Sequence, residues 1–99
     1  MTVDLKDEQL NIVRHILQTY IPDYQVWAFG SRVKGTARKY SDLDLVVISQ
    51  ESLSLAIHAD LAEAFSESDL PFKVDIVDWA TTSEAFQKII SENKIIIQI

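Results

Sequence analysis

Apolar residues along the chain fall into short blocks with two different periods. Within residues 6–20, Leu10, Val13, Leu17 and Tyr20 recur at helical spacing, with Asp4 or Asp7 near the N-terminal end. Pro22 stops that block. Residues 24–29 are rich in aromatic and β-branched side chains and predict a strand that ends at Gly30. Residues 30–40 read as a turn, a short helical piece and a basic loop, and residues 43–49 as a buried strand. A second helix, capped by Ser52 or Ser54, carries Leu53, Ile57, Leu61, Ala64 and Phe65 on one side. After a polar break at 66–71, residues 72–79 predict a third strand. Thr82 or Ser83 caps a last helix through Ile90, and Asn93 is expected as its left-handed C-cap. The apolar residues 95–99 follow.

That order predicts one small α/β domain over residues 1–99, with a three-stranded sheet and helices mainly on one face. A short sheet covered on one face leaves apolar side chains on the other, and Trp27, Trp79 and the isoleucine tail add to them. Such a surplus marks a protein partner or a homo-oligomer contact. The alternative is that the tail packs as an edge strand.

Composition removes several function classes. No apolar run approaches the roughly 20 residues of a membrane helix. The N-terminus lacks the basic-then-apolar layout of a secretory signal, and without cysteine there is no disulfide framework or thiolate metal site. A cytoplasmic location is the expectation, with no membrane association. A formal charge of −6 disfavours long nucleic acid, whose affinity comes from basic side chains displacing counterions. The cations are uneven, however: Arg32, Lys34, Arg38 and Lys39 crowd into one loop, which suits a small polyphosphate better than a polymer.

The same loop carries the candidate chemistry. Gly30 and Ser31 stand where a strand gives way to a short helix, so free backbone N–H groups and a hydroxyl are available to a phosphate. Gly35 permits the reversal that brings the loop back. Asp42 and Asp44, two apart on a strand, leave the same face. Their mutual repulsion calls for a cation or a proton, and hard oxygen donors suit Mg²⁺. A third acid completes a metal site. Asp75 and Asp78 face opposite sides of the third strand; Asp75, flanked by Val74, Ile76 and Val77, is the better choice, because a charge buried there needs a partner. His15 and His58 lack metal-ligand spacing and read as ordinary helix residues.

Taken together, Gly30-Ser31 with Gly35, Ser41-Asp42-Leu43-Asp44-Leu45 and the later Asp75 resemble the nucleotidyltransferase superfamily of DNA polymerase β. Within it the chain is similar to the minimal nucleotidyltransferases of bacteria and archaea. The resemblance spans nearly the whole chain and implies a small mixed sheet. It implies that Gly30 and Ser31 hold a nucleoside triphosphate, with Arg32 and Lys34 offsetting charge on the leaving pyrophosphate. It implies too that Asp42, Asp44 and Asp75 bind two Mg²⁺ ions as the catalytic carboxylates. Many relatives have arginine at the Lys34 position; lysine keeps the charge but loses the bidentate fork. Minimal nucleotidyltransferases pair with helical HEPN-type proteins, as antitoxins that add AMP from ATP to a tyrosine of a ribonuclease toxin. That activity is the leading expectation. Neutralisation by occlusion alone is the binding alternative, and transfer to a small molecule ranks last because no enclosing domain is present.

Overall fold

A computed structural model describes residues 2–99. The elements are α1 (Asp7–Tyr20), β1 (Gln25–Phe29), α2 (Ser31–Lys34), β2 (Leu43–Ile48), α3 (Leu55–Ser66), β3 (Val74–Asp78), a 3-10 turn (Trp79–Thr81), α4 (Glu84–Glu92) and β4 (Ile95–Gln98). The mixed sheet therefore has four strands, not three, in the order β3-β2-β1-β4. β1 runs antiparallel to both β2 and β4, while β2 and β3 are parallel. Parallel neighbours need a long crossover, and α3 supplies it. The tail takes the edge beside β1, so the edge-strand reading of residues 95–99 is the one observed.

Local chemistry accounts for the helix ends. Ser54 Oγ accepts from Ile57 N–H and Ser83 Oγ from Phe86 N–H, both at 3.2 Å, satisfying first-turn donors of α3 and α4. At α1 the side chain of Gln9, not an aspartate, accepts from Lys6 N–H at 3.0 Å. Asn93 departs from expectation: its φ of −142° is extended, because the chain passes straight from α4 into β4. Among the described residues only Gly30 and Gly35 have positive φ.

Strand alternation divides the core. Val26 and Ala28 of β1 and Leu43, Leu45 and Val47 of β2 face α1 and α3, which contribute Val13, Ile16, Leu17, Leu61 and Phe65. Ile97 of β4 joins the same layer. The opposite face holds Phe29, Val46 and Ile90 of α4, with Trp27, Ile48, Val77 and Trp79 partly buried around them. The second face is thus better covered than the sequence predicted. Trp27 meets Trp79 edge-on at 5.2 Å, donates to Gln25 Oε1 at 2.8 Å and lies under the Lys94 ammonium at 3.8 Å. Both tryptophans belong to this packing. Among the described residues the most exposed large aliphatic side chains are Leu55, Ile89, Ile96 and Ile99, with Ile57, Phe86, Tyr20 and Tyr40 exposed as well.

Candidate active site

The register of the sheet assembles the site on that second face. Phe29 pairs with Asp44 across β1 and β2, and Asp44 pairs with Asp75 across β2 and β3. Gly30 follows Phe29 directly and leaves the strand with φ +79°, ψ −155°. An added Cβ there would overlap the Asp44 carboxylate and lie 3.2 Å from its Cγ. Only glycine lets the turn sit against that acid. Val33 and Lys34 N–H groups bond the Gly30 carbonyl at 3.0 Å, which winds the short α2. Gly35, at φ +79° and ψ 17°, closes it by donating its N–H to Ser31 O.

Asp42 is exposed just before β2, Asp44 is half-buried within it, and Asp75 is half-buried on β3. The acids influence one another. Burial raises the Asp44 carboxyl above the ordinary carboxylate range, and the charges of Asp75 and Asp42 push it the same way. Asp75 keeps 42% of its side chain exposed and has an ion-pair neighbour, Lys73 Nζ at 3.5 Å. The premise that it is a deeply buried charge does not hold, because β3 is an edge strand. Asp78 points away from these acids; its carboxylate accepts from Leu53 N–H at 3.4 Å and its carbonyl from the Thr81 and Thr82 hydroxyls.

Among the described residues no three His, Cys, Asp or Glu side chains form a ready-made metal cage. The donor chemistry nevertheless fits a hard divalent cation: Asp44 and Asp75 are paired in register, and Asp44 feels the charges of both Asp75 and Asp42. A divalent cation held by these acids would offset the cost of that repulsion.

The basic loop holds one surprise. Arg32 is only 5% exposed. Its Nε donates to Ser41 O at 3.0 Å, one terminal nitrogen to Asp4 O at 2.8 Å, and the other to Lys39 O at 3.1 Å and Arg38 O at 3.5 Å. Its guanidinium also stacks on Phe72 at 4.0 Å. The donors of this guanidinium are committed to backbone carbonyls, whereas the phosphate role expected of it calls for donors turned outward. Lys34 is exposed and has no ion pair among the described residues. Asp4, Phe72 and Lys73 carry no site signal in the sequence. Asp4 and Phe72 are distant in sequence from Arg32, and no local pattern announces those contacts; Lys73 lies just two residues from Asp75.

Residues 3–99 match the family described as polymerase beta, nucleotidyltransferase. A probable protein adenylyltransferase MntA of Haemophilus influenzae is 60% identical over 96 residues, covering 97% of this chain and 84% of that one. The protein adenylyltransferase MntA of Shewanella oneidensis is 30% identical over 86 residues, which span 85% of this chain and 61% of that protein. Among solved structures, a toxin–antitoxin with AMP-PNP aligns with a TM-score of 0.74 at 26% identity, covering 89% of this chain and 71% of that one. With the family match over residues 3–99 and this similarity along almost its full length, the chain belongs to the polymerase β-type nucleotidyltransferases, among the minimal members similar to MntA.

Proposed function

We propose that this protein is a Mg²⁺-dependent adenylyltransferase that moves AMP from ATP onto a hydroxyl of a partner protein, and that the partner is a HEPN-type ribonuclease toxin for which it is the antitoxin. The observation that carries the reading is the contact of the Gly30 turn with Asp44, itself beside Asp75 in register. That nearness supports a reading in which the Gly30 turn takes phosphate and the neighbouring acids take metal. The 60% identity to a probable protein adenylyltransferase supports AMP as the group transferred and protein as the acceptor.

In this scheme the triphosphate lies against Gly30 and Ser31, whose N–H groups and hydroxyl donate to its oxygens. Lys34 offsets charge on the leaving group. Asp42, Asp44 and Asp75 would hold two Mg²⁺, which when bound neutralise phosphate charge and favour deprotonation of the attacking hydroxyl. The acceptor oxygen forms a bond to the α-phosphorus while the bond to the β-bridging oxygen breaks. Pyrophosphate departs, and the hydroxyl proton passes to solvent.

The test is incubation of the chain with ATP labelled at the α-phosphate, Mg²⁺ and the product of the neighbouring gene, which the proposal takes to be a HEPN-type protein. Label on that protein, lost with Asp42→Asn plus Asp44→Asn, is the expected result. A stable complex of the two unlabelled proteins would replace transfer with occlusion.

A further inference from the structure

Arg32 stands where the segments bearing the acids converge. Its backbone carbonyl accepts from Asp4 N–H at 2.7 Å, while its side chain donates back to Asp4 O, so the N-terminal segment is tied to it twice. On the other side it holds the carbonyls of Arg38, Lys39 and Ser41. The loop is also closed on itself, since Arg38 N–H donates to Ser41 Oγ at 2.8 Å and Ser41 N–H to Arg38 O at 3.1 Å. Asp42 comes next and lies outside any strand. Beyond it, Leu43 N–H is fixed on Lys73 O at 2.9 Å. Asp42 is therefore suspended between two anchors, the Ser41 carbonyl on Arg32 and the Leu43 amide on Lys73. Phe72, on which the guanidinium stacks, immediately precedes that second anchor.

We infer that Arg32 is a positioning residue for metal binding: one buried guanidinium sets the direction in which Asp42 leaves the loop and joins it to the segment leading into β3. The inference rests on Asp42 being a metal ligand under the proposed function. Lysine cannot take the role, because a single ammonium has neither the planar face that stacks on Phe72 nor the spread of donors that reaches Asp4, Lys39 and Ser41 together. Residues that orient ligands from behind change metal affinity by about 10–100-fold when altered.

The experiment compares wild type and Arg32→Lys by Mn²⁺ binding, read from the free-ion electron paramagnetic resonance signal, with amide hydrogen exchange recorded on the same samples. Expected for Arg32→Lys are Mn²⁺ affinity lower by about tenfold or more and faster exchange confined to residues 38–43. Exchange in α1 and β1 stays at the wild-type rate, and in the transfer assay kcat falls more than KM for ATP. Wild-type affinity together with unchanged loop protection in a folded Arg32→Lys overturns the inference. Should the variant not fold, wild type alone decides. By linkage, a clamp that favours metal binding is itself tightened by the metal, so saturating Mg²⁺ must slow exchange of the Arg32 Nε–H, and an unchanged rate overturns the inference. A wild type that binds Mn²⁺ but transfers no AMP, with Arg32→Lys still weakening Mn²⁺, counts against the proposed function alone. A wild type that binds no Mn²⁺ removes both.

Discussion

Gly30 and Gly35 share a φ of +79°, yet an alanine would meet different surroundings at each. At Gly35 there is nothing within 4 Å of an added Cβ, so Gly35→Ala costs only left-handed strain, about 1–2 kcal/mol. At Gly30 the same strain is joined by overlap with the Asp44 carboxylate, which has to turn away from the place where it rests against the turn. Gly30→Ala is therefore expected to lower the melting temperature more and to abolish AMP transfer, whereas Gly35→Ala retains most of the activity. Thermal melts and the labelling assay check both, and equal losses in the two variants would contradict the close-approach argument. Asp44 carries a second residue-scale prediction. Its folded-state pKa is raised, so the folded protein binds a proton there more tightly than the unfolded chain. Stability then falls as pH rises from the ordinary value of 3.8 through the raised one, and stays reduced above it. In metal-free buffer Asp44→Asn is expected to melt above wild type at neutral pH, with the gap closing on acidification. Saturating Mg²⁺ should reverse the order, because only wild type gains the full binding energy. Melting curves with and without Mg²⁺ at about pH 7 and about pH 4.5 read both effects.

Among the elements, β4 separates what local pattern shows from what pairing decides. Residues 95–98 are Ile-Ile-Ile-Gln, and three isoleucines in a row carry no alternation that says which side is inward. Pairing with β1 supplies the answer, with a register shift between Val26 and Trp27: Ile97 turns into the core at 6% exposure and Ile96 stays 45% exposed. Ile97→Ala is thus expected to cost about 2–5 kcal/mol, and Ile96→Ala under about 0.5 kcal/mol. Urea titration distinguishes them, and comparable losses would mean the register is wrong. The same reasoning explains how much could be read beforehand. The alternation of β2 and the Gly30 turn are local, so the nearness of that turn to Asp44 was visible in the sequence, whereas Asp42, expected on the strand, lies just before β2. The Arg32 environment was not visible, because two of its partners, Asp4 and Phe72, lie far from it in sequence on either side, and a charged residue in a basic loop looks like a ligand for anions. Asn93 failed for a similar reason: the pairing of β4 draws its backbone into an extended conformation.

Over the whole molecule, charge decides what kind of phosphate the protein can hold. The formal charge is −6, and four cations share the loop that follows β1. Arg32 is buried on carbonyls, which leaves Lys34, Arg38 and Lys39 exposed. Three cations in one loop suit a triphosphate, but a polymer must also pass the acidic remainder of the surface. Non-specific nucleic-acid binders reach dissociation constants of about 10⁻⁴–10⁻⁶ M at physiological salt by neutralising several phosphates at once, with a salt slope near −0.9 per phosphate on duplex DNA. With at most three exposed loop cations and net repulsion elsewhere, this chain should fall short of that range. Fluorescence anisotropy with a labelled single-stranded RNA and a labelled duplex is expected to show no saturation below about 100 μM protein, while ATP with Mg²⁺ raises the melting temperature under the same conditions. Micromolar RNA binding that weakens steeply with salt would require a basic surface that the sequence does not contain, and would shift the acceptor from protein to nucleic acid. Weak RNA binding beside clear ATP binding leaves a protein acceptor as the reading consistent with the charge, and it leaves the exposed Leu55, Ile89 and Ile96 as apolar surface available for contact with that protein.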